Sequence, residues 1–434
     1  MNTRTLLPKV NVNMAAMFCA RSWTGRLCRP RASRFPTKHA TFYRPSSTSS
    51  HPPTQPRSSH TRRRILFLLL GTTTFLLFAT PAKPPTLNET TFVPYTITSR
   101  ASLSPASFIL TLVPQTPNPE PMYLLPGTNR WRHPLWSVEF KQPEVQISRH
   151  YTPLPPQSKD GDDMLDGAES ERNGALRFYI RAHSDGEMSH YLRRLRPHDT
   201  VQLRGPHIGF DLVKRLGACK NIVFLAGGTG LVPGMQAARV ALDGYEDTNV
   251  SLLWAVRSRK DIQSTPPSEV SNGWWGSSGP TEIQAAEGLS PIARQLADMK
   301  AQYGKRLSVQ VVVDEEGSSF QPVHLQKALL DIGKDDKLVS NPGSGCALHD
   351  QKLSEQASEF EGDAGPNCAC SPVEGTLPGK NLFIISGPGG FVKHYAGDKV
   401  WQGGRQTQGP VGGVAAQLQK KNPQLAKEWL VLKL

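Results

Sequence analysis

Four short stretches of the chain carry side chains and backbone types suited to holding a dinucleotide. The first, Arg149-His150-Tyr151-Thr152-Pro153, closes a strand-like run. A flavin dinucleotide needs a cation for its pyrophosphate, an aromatic or polar side chain along its ribityl and ring, and a hydrogen-bond partner at the N5 edge. Arg149, Tyr151 and Thr152 offer these. Strand alternation puts Arg149 and Tyr151 on one face and His150 on the other, where a structural role is expected. The second stretch, Gly186-Glu187-Met188-Ser189, opens a helical segment whose first amides lack partners and suit a phosphate. A plain helix cap reads the same way. The third, Ala226-Gly227-Gly228-Thr229-Gly230-Leu231-Val232-Pro233, follows an apolar strand and begins a helix. Its glycines let the backbone approach a dinucleotide, although the spacing differs from G-x-G-x-x-G. The fourth is Ser386-Gly387-Pro388-Gly389-Gly390. Ligands of open α/β sheets lie beyond the carboxyl ends of the strands, so the Gly227 and Gly387 turns can face one site. A bound flavin would do the redox chemistry itself, with no side chain acting as acid or base. Thr152 would then tune the flavin edge, while Ser386 and Thr229 would position a nicotinamide ring, which makes Thr152 and Ser386 the candidate catalytic residues.

These residues need elements to hold them. Short strand-like runs at 108–113, 136–140, 145–148, 176–180 and 200–203, with one helical stretch near 188–195, predict a small antiparallel barrel over 88–213. From Lys220 onward, buried-type strands at 222–226, 251–256, 307–313 and 382–385 alternate with helices near 233–242, 291–303 and 323–332. That alternation predicts a Rossmann-like parallel α/β domain over 214–434. Ser290 before Pro291 is a ready N-cap. The fold class is therefore β plus α/β.

Three polar, Gly/Ser/Asp-rich stretches, at 157–173, 263–281 and 340–379, interrupt the pattern and are expected to be surface loops, the third a disordered insert. Cys346, His349, Cys368 and Cys370 fall in that insert. C-x-C is not the usual zinc-knuckle spacing, so no metal site and no shared role is expected of them. Arg257, Arg259 and Lys260 follow the second α/β strand, where a basic cluster can pair with a 2′-phosphate or can be a solvated turn.

The net charge of +14 suggests nucleic acid until it is located. The first acidic residue is Glu89, fourteen Lys and Arg precede it, and the remaining 36 basic and 36 acidic residues balance. The basicity belongs to the leader, and nucleic-acid binding loses its support. Residues 1–61, rich in Arg, Ser, Thr and Pro and free of acids, have the composition of a mitochondrial transit peptide. Arg62-Arg63-Arg64 and the apolar run 65–80 within 62–82 read as a short single-span anchor ended by Pro81 and Pro84. The arginines would stay on the matrix side and leave the folded part in the intermembrane space.

Taken in order, with a barrel before and an α/β sheet after, the four motifs resemble the ferredoxin-reductase-type FAD/NAD(P) family over about 91–434, most recognisably its cytochrome b5 reductases. The resemblance implies that Arg149, Tyr151, Thr152, Pro153, Gly186, Glu187, Met188 and Ser189 hold FAD. It implies that Gly228, Thr229, Gly230, Pro233, Gly387 and Pro388 bind NADH or NADPH. The chain departs from the family pattern at Val232, where a Thr is usual, at Ser386, where a Cys is usual, and at Leu434, where an aromatic residue would cover the flavin. The tail Phe391–Gly397 and Gln408–Gly413, together with the leader and anchor, looks like that of fungal mitochondrial flavoproteins which assist haem attachment to apocytochrome c. That likeness implies an inner-membrane protein whose electrons go to haem, a haem protein, or a haem lyase and its apocytochrome c.

Overall fold

A computed structural model of the chain describes residues 85–118, 121–126, 130–157, 174–184, 186–263, 279–332, 345–360, 368–370 and 379–434. All lie in one compact unit, Pro81–Leu434. The leader and anchor expected at 1–61 and 62–82 fall outside the described residues. Among the described residues no helix is long and apolar enough to cross a membrane.

The first half is a six-stranded antiparallel sheet of β1 (Val93–Ser102), β2 (Ser107–Pro114), β3 (Trp136–Gln142), β4 (Ile147–Tyr151), β5 (Leu176–Arg181) and β6 (Thr200–Ile208), in the order β4-β3-β6-β1-β2-β5. It curls until the extension of β4 meets β5 through Leu154 N–H to Arg177 C=O at 2.7 Å. Period-two burial drives this: Val93, Tyr95 and Ile97 of β1 point inward with Leu110, Val138, Phe140 and Phe178. Helix α1 (Glu187–Arg194) drops Met188 and Leu192 into that core and packs on β3 and β4. The sequence reading missed β1, and it began β4 two residues early because Pro143–Gln146 form a turn, with Gln146 at φ 56°.

The second half follows the short helix α2 (Leu212–Leu216). Its strands are β7 (Asn221–Gly227), β8 (Asn249–Val256), β9 (Thr281–Glu282), β10 (Leu307–Val313), β11 (Asn381–Ser386) and, past a small hairpin of β12 (Val400–Gln402) and β13 (Arg405–Thr407), β14 (Trp429–Lys433). They lie in the order β14-β11-β7-β8-β10-β9, parallel except for β9. Alternate residues feed two cores. Ile222, Phe224, Leu252 and Trp254 face α3 (Leu231–Gly244) and α4 (Pro291–Tyr303), while Val223, Leu225, Phe383 and Ile385 face α5 (Pro322–Asp331), α7 (Gly389–Ala396), α8 (Gly413–Lys421) and α9 (Pro423–Glu428). Ser290 caps α4 as expected, its hydroxyl accepting from Ala293 N–H at 3.2 Å.

The insert needs correction. Residues 345–360 are packed, not a disordered excursion: they include α6 (Gln351–Ser354) and bury Cys346, Leu348, His349 and Ser354. Composition hid this, because the anchoring is polar. Arg215 of α2, fully buried, donates to Leu348 C=O at 3.2 Å, and the Gln351 amide exchanges bonds with Val431 of β14. The Gln408 amide does likewise with Lys433. Two glutamine side chains thus occupy the outer edge of β14, which would otherwise present unpaired backbone.

Candidate functional site

Register decides where the motifs meet. In parallel pairing Ser386 lies beside Ala226, Ile385 beside Lys433 and Gly227 beside Ala255, so the carboxyl ends of β7, β8, β11 and β14 share one edge of the sheet. The end of β4 faces that edge, held by the 153–156 carbonyls. Pro153 C=O accepts from the buried Gln236 amide at 2.9 Å, and Pro155 C=O from Gln295 at 2.8 Å. Gln236 also accepts Trp136 N–H at 3.1 Å, tying α3 to β3 as well.

Between the halves lies a cleft of about 270 Å³. Tyr151 and Thr152 line it from the barrel; Thr229, Gly230, Val232, Pro233, Ser386, Gly387 and the terminal Leu434 line it from the α/β half. A second cavity, about 510 Å³, opens from Gly228 and Thr229 past Arg257 and Asp314 to Pro388. Gly228 sits at φ +56° with nothing within 4 Å of where a Cβ would stand, whereas a Cβ on Gly230 would lie 2.5 Å from Ser386 O. The first glycine leaves room for a ligand and the second lets two turns touch, both features of a dinucleotide cradle. Trp136 lines the first cleft with a buried indole N–H that has no partner among the described residues. These features fit a flavin ring with a nicotinamide nucleotide beside it.

The remaining candidates are distributed differently. Arg149 is exposed, its guanidinium bonding only to Ser148 C=O among the described residues, so it is available to an anion near α1. Ser189 turns back into the chain, donating to Gly186 C=O at 2.9 Å and accepting His183 N–H at 3.1 Å. Its hydroxyl is thus engaged in shaping the loop. Glu187 is exposed in that first turn, Met188 is core, and Pro153 is buried with its carbonyl on Gln236. Of the basic cluster, Arg259 is turned onto Glu316 in a bidentate ion pair and Arg257 lies 3.8 Å from Glu315.

His150, expected to be structural on the strand face opposite Arg149 and Tyr151, also lines the cleft. β4 is an edge strand, so both faces of its end border the opening. The His150 ring lies 3.1 Å from Ser137 Oγ, edge-on to His207, and 4.6 Å from the Phe360 ring. Below it Glu139 takes a 2.7 Å bond from Arg204, its cross-strand neighbour. Burial opposes ionisation of Glu139, yet the Arg204 bond and the nearby His150 and Arg204 charges hold its carboxyl below the usual range. Burial, then His207, pushes His150 below its ordinary value; burial likewise lowers His207. Sequence reasoning also missed Leu135, Trp136, His207, Gln236, Glu359 and Phe360. They belong to no motif, and only a buried Gln one turn beyond Pro233 could have drawn notice.

Residues 133–211 match the family model for the oxidoreductase FAD-binding domain. Over 129 residues the chain is 33% identical to the cytochrome c mitochondrial import factor CYC2 of Saccharomyces cerevisiae, covering 29% of this chain and 34% of that one. It is 32% identical over 159 residues to an uncharacterized FAD-binding protein of Schizosaccharomyces pombe, covering 36% and 50%. An NADH-cytochrome b5 reductase-like protein of Arabidopsis thaliana is 30% identical over 117 residues, covering 27% and 31%. Among solved structures, the CS-b5R domains of human Ncb5or align over 81% of this chain and 71% of theirs at 16% identity, with a TM-score of 0.42. Residues 133–211 therefore match an oxidoreductase FAD-binding domain, and the aligned segment is similar to cytochrome b5 reductase-like proteins. The yeast import factor is a moderate homologue, and the matched segments span about a third to a half of these curated relatives' length.

Proposed function

We propose that this chain is a mitochondrial, inner-membrane-anchored flavoenzyme that takes electrons from a reduced nicotinamide nucleotide and delivers them to haem, keeping the iron ferrous for attachment to apocytochrome c. The observation that carries the reading is the single cleft where Tyr151 and Thr152 of the barrel face Thr229, Gly230 and Ser386 of the α/β half. FAD bound there would accept a hydride from the nicotinamide and release its two electrons singly, enough for two ferric haems. The residues do the rest. Arg149 and the α1 amides neutralise pyrophosphate; Thr152 offers a hydroxyl at the ring edge; Ser386 and Thr229 align the nicotinamide; Leu434 and Phe360 keep water off the ring. Arg259 is paired with Glu316, while Arg257, loosely held 3.8 Å from Glu315, lines the second cavity, so the site suits NADH or NADPH. The moderate likeness to the yeast import factor supports the cytochrome c connection, and the sequence-read leader and anchor support the location.

A second reading, an NADH-cytochrome b5 reductase, is favoured by the relatives of that name. Steady-state reduction of ferric haem and of cytochrome b5, with NADH and then NADPH in the absence of oxygen, separates them. Faster haem reduction supports the first reading and faster cytochrome b5 reduction the second. Reduction of neither contradicts both.

A further inference from the structure

The packed insert brings together four donor atoms that the proposed electron transfer does not use. Cys346 and His349 stand in the turn leading into α6, and Cys368 and Cys370 come to them from beyond Phe360; all four ligand atoms lie within 4.8 Å of one another. Cys346 Sγ is 3.6 Å from Cys368 Sγ. His349 Nδ1 is 3.5 Å from Cys346 Sγ, 3.4 Å from Cys368 Sγ and 3.4 Å from Cys370 Sγ. A tetrahedral zinc ion, with bonds of about 2.3 Å to sulfur and about 2.0–2.1 Å to nitrogen, has edges of about 3.8 Å between sulfurs and about 3.6 Å from sulfur to nitrogen. These four edges match closely, and the two from Cys370 to the other sulfurs lie within 4.8 Å. A disulfide would need its sulfurs at about 2.05 Å, and the cysteines are free.

The surroundings suit a cation too. His349 Nε2 lies 3.1 Å from Lys214 C=O, so it carries the proton and leaves the Nδ1 lone pair facing the sulfurs. Cys370 N–H donates to Cys368 Sγ at 3.4 Å, as amides do to thiolates. Three thiolates around one divalent ion leave a negative charge, and the buried guanidinium of Arg215 sits beside it on Leu348 C=O. A three-sulfur, one-nitrogen tetrahedron selects zinc over harder cations, and with four protein ligands it has no open position for catalysis.

We propose that Cys346, His349, Cys368 and Cys370 bind one structural zinc ion, which closes the chain between Cys346 and Cys368 into a loop and fixes Glu359 and Phe360 at the cleft beside His150. Phe360 lies tilted against the His150 ring at 4.6 Å, and Glu359 is held by Lys399 at 2.5 Å, so the loop carries part of the cleft wall. The spacing Cys-x-x-His followed by Cys-x-Cys is unusual because the ligands come from a turn and a separate short run. The expectation of unrelated loop cysteines rested on the polar insert and on that spacing, neither of which reports that the four donor atoms converge.

The test uses the full chain purified under reducing conditions with zinc in the growth medium. Elemental analysis should find one zinc per chain. Cobalt loaded in its place should give the strong visible bands of a tetrahedral thiolate site. Before chelation, Cys346, Cys368 and Cys370 should resist alkylation; after it, all three should react, and hydrogen exchange across 345–360 should rise while β7 and β8 stay protected. Cys368→Ser with Cys370→Ser should abolish zinc binding, and the chelated wild type serves the same purpose if that variant does not fold. A folded chain without zinc, a Cys346–Cys368 disulfide in protein taken from cells, or unchanged exchange at 345–360 after metal removal would each overturn the proposal.

Discussion

Two glycines separated by one residue do different work in the nucleotide turn. Gly228 faces open space, so Gly228→Ala strains only the left-handed backbone and should cost about 1–2 kcal/mol. Gly230 touches the Ser386 and Gly387 backbone, at 2.5 Å and 2.8 Å from a built Cβ, and neither neighbour is a flexible tip. Gly230→Ala should therefore cost about 1–3 kcal/mol and also displace the turn after β11. Chemical denaturation gives the stability of each variant, and nucleotide titration shows whether Gly230→Ala weakens binding more. Equal, small effects would mean the two turns are not in contact.

The histidines at the cleft set a pH response. His150 and His207 are both held below 6.5, so as pH falls through that value the unfolded chain takes up protons that the folded chain resists. Stability should decline from about pH 6.5 downward. Glu139, held below 4.5, adds a second loss below that pH as its carboxylate is forced to protonate. Thermal melts across pH should show both, and His150→Asn with His207→Asn should flatten the upper decline and, by removing a charge that holds Glu139 down, shrink the lower one. A melting temperature level from pH 7 to about 5 would contradict the assignment.

At the level of elements, α3 holds the two halves in register through Gln236, which accepts Trp136 N–H and donates to Pro153 C=O while fully buried. Gln236→Leu keeps the volume but strands both backbone groups, at about 1–3 kcal/mol each. Its urea midpoint should drop and its flavin should dissociate faster, because β4 loses its tie to the nucleotide half. A variant with lowered stability but unchanged flavin release would show that β4 is positioned some other way. The same logic explains what the amino-acid pattern could convey. Long apolar runs such as Leu307–Val313, and the Ser290-Pro291 start of α4, announce their elements. β1, with Thr and Ser on its outer positions, and β14, whose edge is satisfied by Gln351 and Gln408, do not, since the groups completing them lie far away in the chain.

For the whole molecule, the four glycine and Arg-x-Tyr-Thr motifs were legible because backbone approach to phosphate demands small residues at fixed places. What joins them was not. Trp136, His207 and Phe360 reach the cleft through strand register and the folding back of the insert, and neither leaves a local signature. The convergence of Cys346, His349, Cys368 and Cys370 was illegible for the same reason: their donor atoms meet only in three dimensions. Charge was legible only after partition, because the excess of +14 lies in the leader while the remainder is balanced.

Anaerobic mixing of the purified, FAD-loaded chain with NADH puts the central claim to its most direct trial. The cleft predicts one FAD per chain and bleaching of the yellow flavin band by a reduced nicotinamide nucleotide, NADH or NADPH. A chain that stays colourless when offered FAD, or a bound flavin that neither nucleotide bleaches, would contradict it.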